Sequence, residues 1–149
     1  MVGFGQHLMV DGYGCNPQKL QDINLIYGLL EELPENIDMH KIMPPYVFRY
    51  EGLKPEDWGI SGFVLIAESH ISIHTFPEKG YLSLDIFSCK KFEMEKAMSY
   101  VKEAFEIKTF EKNLLNRGLE FPKDIGMSRR VVTKDRIRVI DGGKVEACY

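Results

Sequence analysis

The sequence predicts an α+β two-layer sandwich, a mainly antiparallel sheet with two principal helices packed on one face. Three observations carry this expectation. Two segments repeat apolar residues at helical spacing, near residues 20–33 and 94–105. Short apolar or alternating runs lie between and around them. Those between residues 60 and 88 are separated only by turn-length gaps, which suits hairpins better than crossovers.

Each element has its local reason. Residues 4–11, FGQHLMVD, alternate as a strand, and Gly12 and Gly14 punctuate its end. Asn16 followed by Pro17 reads as an N-cap and a first-turn proline, so a helix is predicted to start there. Leu20, Ile23, Tyr27 and Leu30 form its apolar stripe, and Pro34 closes it after Leu33. Residues 39–51, MHKIMPPYVFRYE, hold two consecutive prolines, which limits any strand to a short, interrupted or edge position.

The polar stretch EGLKPEDWG is a loop leading to ISGFVLIA, a buried strand. HISIHTF continues with β-branched residues, PEKG turns the chain, and YLSLDIFS alternates strictly. From Glu93 the period changes: Met94, Ala97, Met98, Val101, Ala104 and Phe105 recur as one face of a second amphipathic helix. Residues 108–115 suit a further strand. RIRVI, residues 136–140, alternates like an edge strand whose arginines form a solvated face.

Composition narrows the function classes. A chain of 149 residues with 44% hydrophobic and 28% charged residues is expected to form one globular domain spanning 1–149. A net charge of −3 offers no overall pull toward a phosphate backbone, so nucleic acid is not the expected partner. No basic leader precedes a long apolar run and no segment has membrane-spanning character, which predicts a cytoplasmic protein with no membrane partner. The three cysteines, Cys15, Cys89 and Cys148, are odd in number and widely spaced, as expected of reduced thiols. A sheet covered by helices on one face leaves the other bare, and an apolar bare face predicts a homodimer.

The stretch AESHISIHTFPEKGY, residues 67–81, carries the chemistry. His70 and His74 form an H-x-x-x-H pair, but on a strand rising about 3.3 Å per residue they stand roughly 13 Å apart. They therefore cannot chelate one ion by themselves, and no metal site is expected. Serine beside histidine, without a G-x-S-x-G elbow, does not point to a hydrolase. Glu68-Ser69 suits another reaction: a strained peptide lets the serine hydroxyl attack the preceding carbonyl, turning amide into ester. Removal of the serine α-proton then eliminates the ester and leaves a dehydroalanine that hydrolyses to a pyruvoyl group.

GQHLMVDGYGC, SGFVLIAESHISIHTFPEKGY and LDIFSC together resemble the small prokaryotic form of S-adenosylmethionine decarboxylase, over roughly the first two thirds of the chain. The resemblance implies a proenzyme that cleaves itself between Glu68 and Ser69 into 1–68 and 69–149, with a pyruvoyl cofactor made from Ser69. It implies that His74 is the processing base, Ser61 assists processing, Cys89 returns a proton during turnover, and Glu78 holds the ribose hydroxyls. The substrate amine would form a Schiff base with the pyruvoyl ketone, releasing carbon dioxide and decarboxylated S-adenosylmethionine, the aminopropyl donor for spermidine.

Departures from the family pattern are visible. Phe76 stands where many relatives have tryptophan, and residues 49–59 are longer than in the compact bacterial form. Phe48, Tyr50 and Trp58 are the candidates to stack on the base. Two other functions stay open on the sequence: an arginine or ornithine decarboxylase sharing the cofactor, in which Glu78 would face a distal cation, and a processing-dead binding or regulatory subunit. The presence of Ser69, His74 and Cys89 speaks against the second.

Overall fold

Alternation decides which side of each strand is buried. Along the strand Tyr81–Ser88 the even-numbered residues Leu82, Leu84, Ile86 and Ser88 are buried, and their odd-numbered neighbours are half-exposed. The computed structural model describes residues 3–121. In chain order these form β1 (Gly5–Tyr13), α1 (Pro17–Leu20), α2 (Ile23–Asn36), β2 (Tyr46–Glu51), β3 (Trp58–Ile66), β4 (Ser69–Phe76), a 3-10 turn (Pro77–Lys79), β5 (Tyr81–Ser88), α3 (Met94–Phe105) and β6 (Thr109–Arg117). The strands make one six-stranded sheet in the order β2-β3-β4-β5-β1-β6, with every pairing antiparallel. The predicted α+β class is the observed one. The expected RIRVI strand lies outside the described residues.

The helices share one face of the sheet. Ile26, Leu29, Leu30 and Leu33 of α2 and Ala97, Met98, Val101 and Phe105 of α3 join the inward residues of β1, β3, β4 and β5 in one core. Gly62 of β3 lies directly under Leu30 of α2, and a Cβ there would stand 2.8 Å from Leu30 Cδ1. Burial of the larger of these side chains, each worth about 1.5–3 kcal/mol, supplies the drive that holds helices to sheet.

The first helix differs from its prediction. The chain breaks at Asp22, whose extended φ and ψ of −84° and 99° cannot continue a helix and whose carboxylate caps Asn24 and Leu25. Expected as one helix, the segment becomes two, and the break rotates the stripe. Ile23 and Tyr27, expected to face the core, are 41% and 42% exposed. Pro34 does not close α2, which runs on to Asn36. In the last turn its missing N–H removes one bond, while Ile37 N–H still reaches Leu33 C=O at 3.2 Å.

Among the described residues, no helix lies on the opposite face. That face presents Tyr46, Phe48 and Tyr50 of β2, Phe63 and Leu65 of β3, His70 and His74 of β4, and Asp85 and Phe87 of β5. Aromatic and polar side chains mix there, so the bare face is less uniformly apolar than a core. Among the described residues, no helix is long and apolar enough to cross a membrane.

Candidate active site

Ala67 and Glu68 form the two-residue turn between β3 and β4, with Ile66 paired to Ser69. Tight hairpins normally take positive φ inside the turn, to match the strand twist. Neither turn residue does so here. Ser69, the first residue of β4, instead has φ 155°, a conformation that L residues rarely adopt. Such backbone costs of order 1–3 kcal/mol and persists only where its surroundings enforce it.

Those surroundings are specific. Glu68 is fully buried. Its carbonyl oxygen accepts the Cys89 backbone N–H at 3.0 Å. Its carboxylate oxygens accept the His40 backbone N–H at 3.1 Å and meet His40 Nδ1 at 3.0 Å. The antiparallel register pairs Ser69 with Ser88, so Glu68, Ser69 and Cys89 come together at one end of the central strands. His40 is the member that the sequence reading missed. It lies in a proline-containing stretch with no periodic signal, 28 residues from its partner.

A second group stands at the other end of the same strands. Ser61 and His74 are register partners, with Oγ 2.8 Å from Nδ1 on the uncovered face. Phe48 pairs with Ser61 from β2. Beyond the end of β4, Glu78 Oε1 accepts Trp58 Nε1–H at 3.2 Å, and the Arg49 guanidinium lies 4.2 Å from the centre of the Trp58 ring. Of the three aromatic candidates, Phe48 therefore flanks the Ser61–His74 pair and Trp58 touches Glu78.

The two groups do not meet within one chain. Ser69 and His74 lie five residues apart in one unbroken strand, a span of about 17 Å at 3.3 Å per residue. His74 cannot reach the α-proton of the serine in its own strand. Glu78 is farther still.

The cysteines differ from expectation in part. Cys15 is free and buried, and desolvation pushes its thiol up to about 11, which makes it an inert core residue. Cys89 is disulfide-bonded, so the reduced-thiol expectation does not hold for it. Cys148 lies outside the described residues. Between the two groups, on the uncovered face, His7 Nε2 is 2.8 Å from Asp85 Oδ1, and His70 lies against Phe87 with ring centres 5.7 Å apart. Burial lowers the His70 pKa first, and the charges of His7 and Arg117 lower it further against the opposing pull of Asp85.

An α+β sheet with helices on one face and a buried, strained Glu-Ser junction at the end of its central hairpin defines the class to which comparison points. Residues 6–118 match the family model described as S-adenosylmethionine decarboxylase. The chain belongs to that family, whose members are carboxy-lyases. It is 38% identical over 121 residues to an S-adenosylmethionine decarboxylase proenzyme of Pyrococcus furiosus, covering 80% of this chain and 83% of that one. A proenzyme of the same description from Thermococcus gammatolerans is 34% identical over 144 residues, 96% of this chain and 95% of the relative. One from Clostridium botulinum is 37% identical over 115 residues, 76% of this chain and 94% of the relative. The crystal structure of the adenosylmethionine decarboxylase from Aquifex aeolicus superposes with a TM-score of 0.67 at 29% identity, covering 85% of this chain and 99% of that one.

Proposed function

We propose that this chain is a single-domain, self-processing decarboxylase of S-adenosylmethionine. Residues 1–149 cleave between Glu68 and Ser69 into 1–68 and 69–149, and Ser69 becomes a pyruvoyl group. The observation that carries the reading is Ser69 at φ 155° beside a Glu68 carbonyl already held by the Cys89 N–H. Ser69 Oγ bonds to the Glu68 carbonyl carbon, the bond from that carbon to the Ser69 nitrogen breaks, and the hydroxyl proton ends on the freed amine. Negative charge gathers on the carbonyl oxygen during the attack, where the Cys89 N–H is aimed. Loss of the Ser69 α-proton then expels Glu68 as a carboxylate, and hydrolysis of the resulting dehydroalanine releases ammonia.

The residues present fit the group so formed. It takes the substrate amine and accepts the electrons released when carbon dioxide leaves. Cys89, in its thiol form, stands beside Ser69 and suits the return of a proton to the substrate carbon. Glu78 offers two acceptors to the two ribose hydroxyls, and Trp58 orients it. The product, decarboxylated S-adenosylmethionine, is an aminopropyl donor for spermidine.

The distance between Ser69 and His74 supports a homodimer with composite sites. Two copies packed through their uncovered faces, about a two-fold axis running across the strands, bring the Ser69 end of one to the His74 end of its partner. There His74 Nε2 is the base: when Nδ1–H donates to Ser61 Oγ, Nε2 is left with a free lone pair. Each copy then completes the other.

Intact mass of the purified protein, followed by carbon dioxide release from equal concentrations of S-adenosylmethionine, arginine and ornithine, tests the proposal. Two fragments meeting at 68/69 and a preference for S-adenosylmethionine are expected, while Ser69→Ala stays a single chain. A wild-type chain that remains whole after prolonged incubation, or one that prefers a diamine precursor, overturns it.

A further inference from the structure

Glu68 invites an explanation that turnover does not supply. Its side chain points into the protein rather than onto the uncovered face, and an ionised carboxylate in that position costs several kcal/mol unless its oxygens are hydrogen-bonded. One residue meets both oxygens. The His40 backbone N–H holds Oε2 at 3.1 Å and Nδ1 holds Oε1 at 3.0 Å. A carboxylate has only acceptors, so Nδ1 must carry the proton of that bond.

The segment bearing His40 is tied to the cleavage turn along its length. Ala67 N–H donates to His40 C=O at 2.8 Å, Lys41 and Ile66 form an antiparallel bridge, and Ile42 N–H donates to Leu65 C=O at 3.1 Å. On the other flank, Ser88 Oγ donates to Lys90 C=O at 2.7 Å and accepts Lys90 N–H at 3.0 Å, which shapes the turn that points Cys89 N–H at Glu68 C=O. The residue before the bond to be cut is thus held by its side chain from one side and by its carbonyl from the other.

We infer that His40 is a positioning residue for self-cleavage, holding the Glu68 carboxylate so that the Glu68 carbonyl stays on the Cys89 N–H and in line with the Ser69 hydroxyl. The inference rests on the self-processing reading above. It assigns His40 no part in turnover, because His40 touches Glu68, which leaves the reaction once the chain is cut. Without the clamp, the Glu68 side chain is free to turn and take its carbonyl off the donor. Displacements of about 1 Å in a reacting group slow reactions by as much as a hundredfold.

Wild type, His40→Ala, His40→Asn and His40→Gln are followed from full-length chain to fragments on denaturing gels and by intact mass, and carbon dioxide release is measured per mole of cleaved chain. Cleavage of His40→Ala is expected to slow by about tenfold or more, while turnover per cleaved chain stays within about twofold of wild type. The Asn amide nitrogen sits near the position of Nδ1, whereas that of Gln sits near Nε2, so Asn is expected to restore cleavage and Gln is not. Wild-type cleavage by His40→Ala, or equal rates for Asn and Gln, overturns the inference. If His40→Ala is insoluble, the comparison of Asn with Gln decides alone. A wild-type chain that never cleaves counts against the self-processing reading itself and is told apart by that control.

Discussion

Ser61 and His74 face each other across β3 and β4, the hydroxyl 2.8 Å from Nδ1 on the uncovered side of the sheet. The pair is well formed in a single chain, yet the serine it would serve stands about 17 Å away along the strand. That separation turns a question about mechanism into one about assembly.

If sites are shared between copies, two defective chains repair each other. Ser69→Ala and His74→Ala are each expected to stay uncut when made separately, the first lacking the nucleophile and the second the base. Co-expressed with distinguishable tags, they form mixed dimers in which the intact Ser69 of one chain meets the intact His74 of the other. Fragments carrying only the tag of the His74→Ala chain are expected on a denaturing gel. Absence of cleavage in verified mixed dimers rules out the shared site.

Cys89 separates cleavage from turnover. Its backbone N–H serves Glu68 and survives substitution of the side chain, so Cys89→Ala is expected to cleave while releasing product slowly or protonated at the wrong carbon. Because Cys89 is disulfide-bonded, the wild-type protein is also expected to decarboxylate faster after treatment with dithiothreitol. Equal rates with and without reductant, measured by carbon dioxide release, show that the disulfide does not limit turnover.

Glu78 and Trp58 are predicted to act on substrate and not on cleavage. Replacing the carboxylate leaves two ribose donors without their acceptor, a loss of about 1–3 kcal/mol, so Glu78→Gln lowers kcat/KM by roughly fivefold to more than a hundredfold. Trp58→Phe keeps the ring and loses only the N–H held at 3.2 Å, for which about two- to tenfold is expected. Fragment yield is expected to match wild type in both. A Glu78→Gln enzyme with unchanged kcat/KM removes the residue from the site.

His70 makes stability depend on pH. Its burial, reinforced by His7 and Arg117 and opposed by Asp85, holds the imidazole below its ordinary value of 6.5 in the folded protein. The unfolded chain therefore binds a proton that the folded chain resists. Stability from this residue is full above about pH 6.5 and falls as pH drops toward the lower folded value. His70→Gln is expected to flatten the dependence of Tm on pH between about 7 and 5, and parallel curves for mutant and wild type count against it.

Much of the fold is legible in local pattern. Strict alternation in YLSLDIFS and the helical recurrence from Met94 to Phe105 reappear as β5 and α3, because a half-buried strand or helix must repeat its apolar residues with its own period. The break at Asp22 is less visible: aspartate is an ordinary N-cap, but Asn16-Pro17 already supplies a start, and only packing chooses a short helix and a longer one over a single helix. Glu68-Ser69, His74, Ser61, Glu78 and Cys89 were all found as candidates on the sequence.

By itself, then, the sequence determined the residue types, their periods and the Glu68-Ser69 junction proposed for cleavage, since each depends on neighbours a few positions away. Tertiary structure decided what lies next to what. It set His40 on Glu68 across 28 residues, aimed the Cys89 N–H at the Glu68 carbonyl, and put Ser69 and His74 five residues apart along one strand. Such distances follow from strand register and from how the intervening chain packs. Neither is written in the spacing of residues along the chain.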